Sequence, residues 1–125
     1  MTPGQRLLNA SEWGGNSDAM REVLAMGTNP NVTNPELDGY TGARGLTALH
    51  YTASQGYLAA TELLLDHPLI DLSIRDSRGK TALDRAIEFG RTKIVEAFAR
   101  AAEKRETWRK RIQQTLEKRG PVPTL

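Results

Sequence analysis

Apolar residues fall along this chain in short clusters at helical spacing, with no long alternating run. Leu7, Leu8 and Ala10 give one apolar face, and Met20, Val23 and Leu24, with Met26 at its end, give a second. The turn signal Gly14-Gly15-Asn16 separates them, and Asn16, Ser17 and Asp18 are candidate caps. Gly27 stands where a helix would close in a left-handed residue. Leu49, Thr52 and Ala53 form a third face. Leu58, Ala59 and Leu63 to Leu65 form a fourth, which Asp66-His67-Pro68 ends. Leu69, Ile70, Leu72 and Ile74 predict a short extended segment. Leu83, Ala86 and Ile87 give a fifth face. Ile94, Phe98, Ala101, Trp108, Ile112 and Leu116 then predict one long amphipathic helix, because no Gly or Pro occurs from Arg91 to Arg119.

Two of these segments are the same phrase. Gly45-Leu46-Thr47-Ala48-Leu49-His50 runs on to Gly56, and Gly79-Lys80-Thr81-Ala82-Leu83-Asp84 runs on to Gly90, with each pair of matched positions 34 residues apart. A fixed period of that size marks a stacked repeat, in which no unit buries its apolar face alone. Thr47 and Thr81 each precede a helix as hydroxyl caps. The pattern T-A-L-H-x-x-A-x-x-G, followed by a Leu-rich segment, resembles the ankyrin repeat. Gly27-Thr28-Asn29-Pro30-Asn31-Val32 is similar to the turn that closes such a unit.

The resemblance implies an all-α fold: an ankyrin-repeat solenoid of stacked helix-turn-helix units with β-hairpin-like fingers. The expected repeat domain spans 5–103, with a degenerate repeat at 5–32, an extended finger at 33–44 and further repeats at 45–78 and 79–102. A basic amphipathic helix follows at 104–119, and a flexible tail at 120–125. The finger at Asn34 to Arg44 is about eight residues longer than the family spacing requires, and insertions of this kind map to exposed faces. Asp84 stands where the family's His stands in the second copy, as His50, so the hydrogen bond of that His is in doubt there.

Charge sharpens the division. Residues 1–90 carry seven Lys/Arg against eleven Asp/Glu, a balance of −4, and residues 91–125 carry ten against four, a balance of +6. Basic character therefore gathers in the last helix. The chain has no cysteine, which excludes a disulfide framework and a thiolate zinc site. No apolar run suits a signal peptide or a membrane span, so a soluble protein of the cytoplasm or nucleus is expected.

Catalytic chemistry finds no footing. Gly79-Lys80-Thr81 resembles the end of a phosphate loop, but that motif needs a Gly at position 74, which is Ile. His50 and His67 lie in different elements without a second ligand at metal spacing, and no Ser or Cys is placed to complete a triad. Neither an enzyme nor a cofactor is expected.

What remains is binding. The family's variable positions imply a concave surface of fingers and first helices. Its candidate contact residues are Tyr40, Arg44, Tyr51, Gln55, Arg75, Ser77, Arg78, Arg85 and Phe89, with Ser54 and Glu88 beside them. Aromatic rings flanked by arginines suit an acidic, partly apolar protein or peptide, bound by a chain that is a monomer on its own. If these positions carry no structural duty, replacing Tyr51 and Arg85 weakens binding and leaves melting unchanged. The alternative site is the last helix, where basic residues surround Trp108, Arg109, Ile112 and Leu116. Such a helix docks in a partner groove, or caps the open end of the stack. Nucleic acid or an anionic membrane is the lesser alternative.

Overall fold

Among the described residues, four of the six helices begin where the sequence supplies a side-chain cap. The computed structural model describes residues 1–118, apart from the side chains of Trp108, Leu116 and Lys118. Arg119 and the tail expected at 120–125 lie outside the described residues. Helix α1 (Pro3–Glu12) starts two residues before the expected Gln5, because Thr2 Oγ1 accepts the Gln5 N–H and Pro3 occupies the first turn. Helix α2 (Ser17–Ala25) is capped by Asn16, whose Oδ1 accepts the Ala19 N–H. The strands β1 (Thr33–Asn34) and β2 (Leu46–Thr47) pair antiparallel, Thr33 opposite Thr47, at the base of the enlarged finger. Four helices follow: α3 (Ala48–Gln55), α4 (Leu58–Leu65), α5 (Ala82–Glu88) and α6 (Thr92–Lys118).

The helices stack in two rows. α3 lies between α1 and α5, while α4 lies between α2 and α6. Leu7, Met20, Val23, Leu49, Ala53, Leu64, Ile94 and Phe98 run through the shared core. Burying one such aliphatic side chain contributes about 1.5–3 kcal/mol, so each pair depends on its neighbour. The repeated phrase reproduces one cap twice. Thr47 Oγ1 accepts the His50 N–H, and the Thr47 N–H in turn donates to His50 Nδ1. Thr81 and Asp84 make the same reciprocal pair, with the Thr81 N–H donating to Asp84 Oδ2. Asp84 thus keeps the cap. His50 does one thing more: its Nε2–H donates to the Lys80 carbonyl, 2.9 Å away, and so ties the second finger, the turn closed by Asp76 and Lys80, to α3.

Three expectations from the pattern fail. Ile87 is 60% exposed, because α5 is the last helix of its row and that flank has no neighbour. Ala59 is exposed and Ala60 is buried in its place. Leu69 to Ile74 forms no strand. That segment is held instead by Asn31, whose Nδ2 donates to the Leu69 carbonyl and whose Oδ1 accepts the Asp71 N–H.

Candidate functional site

The two fingers are tied to each other, and this frames every exposed side chain near them. The Arg44 N–H donates to Ser77 Oγ at 2.8 Å, and the Ser77 N–H donates to the Arg44 carbonyl at 2.8 Å. Arg78 Nε donates to the Gly42 carbonyl at 3.1 Å. Inside the longer finger, Asp38 Oδ2 accepts both the N–H and the hydroxyl of Thr41, each at 2.8 Å. The Asp38 N–H donates to the Ala43 carbonyl, which closes the loop. The inserted segment is therefore built, with Asp38, Thr41 and Ala43 buried.

That construction changes the fate of the predicted contact residues. Tyr51 is only 1% exposed, packed with Leu8, Ala43 and Leu46 beneath the finger, and its hydroxyl accepts Asn34 Nδ2–H. Burial pushes its phenol up to about 12, against the opposing Asn34 hydrogen bond. Ser54 is buried too, its hydroxyl donating to the Tyr51 carbonyl. Arg85 is 2% exposed. Its Nε donates to Asp76 Oδ2 at 2.8 Å, Nη2 lies at 2.8 Å from the same oxygen without an aligned N–H, and Nη1 pairs with Glu88 at 2.8 Å. Asp76 Oδ1 meanwhile accepts the N–H groups of Arg78 and Lys80. Tyr51 and Arg85 are thus structural, which overturns their reading as free contact positions. One lies under an insertion, and the other neutralises a buried carboxylate.

The remaining positions reach solvent. Arg44, Arg75 and Arg78 are exposed on the fingers, although Arg75 Nη1 also donates to the Gly79 carbonyl. Ser77 is exposed, with its hydroxyl engaged by the neighbouring finger. Tyr40 is half-exposed and stacks on Phe89, with ring centroids 4.7 Å apart. Its hydroxyl accepts Arg91 Nη2–H, and Arg91 Nε donates to the Ser54 carbonyl. Gln55 bridges two elements, donating to the Glu12 carbonyl and accepting the Tyr57 hydroxyl. On α6, Arg109 and Ile112 are exposed, whereas the side chains of Trp108 and Leu116 lie outside the described residues.

A family model described as ankyrin repeats, three copies, matches residues 7–107. The chain belongs to the ankyrin repeat family. Ankyrin repeats are, in general, non-catalytic modules of protein–protein interaction. Two curated relatives share the repeats. A probable E3 ubiquitin-protein ligase XBOS32 of Oryza sativa subsp. japonica is 33% identical over 96 residues, covering 76% of this chain and 18% of that protein. Rabankyrin-5 of Mus musculus is 30% identical over 95 residues, covering 76% of this chain and 7% of that protein. The matched region is thus less than a fifth of either relative's length. Among the described residues no cluster of His, Cys, Asp or Glu could hold a metal, and no helix is long and apolar enough to cross a membrane.

Sequence reasoning missed Trp13 and Tyr57. Trp13 is 75% exposed on the α1–α2 turn, and Tyr57 lies under that turn, where its ring touches Gly15. The doubled glycine was the available signal. Gly14 and Gly15 both take positive φ, and a Cβ at Gly15 would lie 2.5 Å from the Tyr57 ring.

Proposed function

We propose that this ankyrin chain is a non-catalytic adaptor that binds another protein along its fingers and first helices. In this reading 5–103 is the repeat domain and the basic stretch 104–119, helical over its described residues to Lys118, is its extension. The observation that carries the reading is the reciprocal Arg44–Ser77 bonding, which holds two fingers as one frame. A frame ordered before binding loses little conformational freedom on association. Arg44, Arg75, Arg78 and the Tyr40–Phe89 stack project from or beside it, and the arginines suit acidic side chains of the partner.

Selection from a random peptide display library, followed by calorimetry on the selected sequence, tests this. The paired charge reversal Arg44→Glu and Arg78→Glu is expected to weaken binding at least about tenfold, as loss of two favourable charge contacts would. Unchanged binding in that variant, with loss in Arg109→Glu and Ile112→Ala instead, would move the site to α6. That second reading has its own support. Residues 102–107 are exposed beyond the stack, and Ile112 stands 56% exposed among Arg109, Lys110 and Arg111.

A further inference from the structure

Between the enlarged finger and the first helix pair lies a groove of about 530 Å³. The α1–α2 turn, the enlarged finger and the end of α3 border it, and its walls include Glu12, Trp13, Asp38, Tyr40, Gln55 and Tyr57. Three of these are aromatic rings and two are carboxylates. Two of the rings are held in place and the third is open. Tyr40 is stacked on Phe89, Tyr57 is bonded to Gln55 and seated against Gly15, and no ring stacks on Trp13 among the described residues.

We propose that this groove seats a lysine or arginine side chain of the bound protein segment, with Glu12 and Asp38 facing the cation and the rings of Trp13, Tyr40 and Tyr57 flanking its stem. The inference rests on the protein-binding reading above and gives it a direction: basic residue toward the first repeat, acidic residues toward the fingers.

Charge complementarity and ring chemistry point the same way. Aromatic faces attract cations through their quadrupole, and a lysine or arginine stem covers apolar surface while its head stays polar. Among the described residues Glu12, Glu36 and Asp38 have no ion-pair partner. Asp38 Oδ2 is engaged by Thr41, which leaves Oδ1. The Glu12 carboxyl is pushed up by burial first, then by Asp38 and Glu36, as expected where negative charge is crowded without compensation. One guanidinium reaches a groove ring: Arg91 Nη2 donates to the Tyr40 hydroxyl at 3.2 Å. Its Nε is held by the Ser54 carbonyl, and Arg91 is not one of the residues that line the groove.

Two-dimensional NMR on the full chain, titrated with acetyl-Lys-Lys-Lys-amide, tests the proposal. The Trp13 indole N–H is expected to shift and saturate, while the Trp108 indole stays in place and acetyl-Glu-Glu-Glu-amide has no such effect. Trp13→Ala and Glu12→Gln should each weaken the lysine peptide by about three- to fivefold, the scale of one exposed cation–π or charge contact. Absence of a saturable Trp13 response, an equal response to the glutamate peptide, or unaltered affinity in both variants overturns the groove. The two readings fail differently. If a selected partner still depends on Arg44 and Arg78 but ignores Trp13→Ala and Glu12→Gln, the groove is wrong and the adaptor stands. If it ignores the finger arginines as well, both fall.

Discussion

Arg85 shows how a single side chain changes role between a repeat pattern and a folded repeat. Its position in α5 matches a family contact site, yet its guanidinium is enclosed with Asp76, whose side chain is wholly buried. Removing it leaves a buried carboxylate without its partner. Arg85→Ala is therefore expected to cost about 3–5 kcal/mol of stability in urea denaturation. Arg44→Ala, on an exposed finger, should stay within about 0.5 kcal/mol. Equal effects of the two would show that the Asp76 pair contributes nothing. His50 carries a second residue-level consequence. Burial lowers its pKa, the Lys80 carbonyl, Asp76 and Asp84 oppose that, and Arg85 reinforces it. The folded chain therefore binds fewer protons than the unfolded chain below the ordinary value of 6.5. Stability falls as pH drops from that value toward the lowered folded one, by up to about 1.4 kcal/mol per pH unit. Melting curves of the wild type between neutral and mildly acid pH should show this slope, and His50→Gln should flatten it.

At the scale of elements, the α1–α2 turn and the enlarged finger decide how much of α3 meets solvent. All residues from Ala48 to Ser54 are buried, an unusual state for a helix whose variable positions would face outward in the family pattern. The finger covers Tyr51 from one side and α5 packs along the other. The Gly14–Gly15 turn fits over Tyr57 only because Gly15 has no Cβ. The two glycines separate two costs. Gly14 has φ +89° and nothing within 4 Å of its would-be Cβ, whereas Gly15 has φ +57° and the Tyr57 ring in the way. Gly14→Ala should cost about 1–2 kcal/mol of backbone strain. Gly15→Ala should cost clearly more and shift the Tyr57 ring resonances. Matching losses and an unmoved Tyr57 would argue against the close approach.

For the whole molecule, the useful division is between the stack and the end of α6. Ile94, Ala97 and Phe98 are buried against α4 and α5, while every residue from Ala102 to Thr107 is exposed. Beyond Glu103, the one ion pair that reaches back to the stack among the described residues joins Lys104 to Asp66 at 3.9 Å, and exposed pairs of that kind contribute at most about 1 kcal/mol. A chain truncated after Glu103 is accordingly expected to melt within a few degrees of the full chain. A large drop in melting temperature would identify the extension as a cap on the stack.

Much of this architecture could be read from spacing. The 34-residue echo, the threonine caps and the glycine turns are local signals, because a cap or a left-handed residue acts within a few positions of itself. They placed the helices, and the apolar stripe on α6 told its length. Contacts between distant residues were not legible in this way. Asp76 with Arg85, Asn34 with Tyr51, and Trp13 with Tyr40 and Tyr57 across the groove depend on how the finger folds back over the stack. Whether a tyrosine or an arginine is structural or free to bind turns on that long-range burial, because the same side chain is inexpensive to hold in water and must find partners once water is removed.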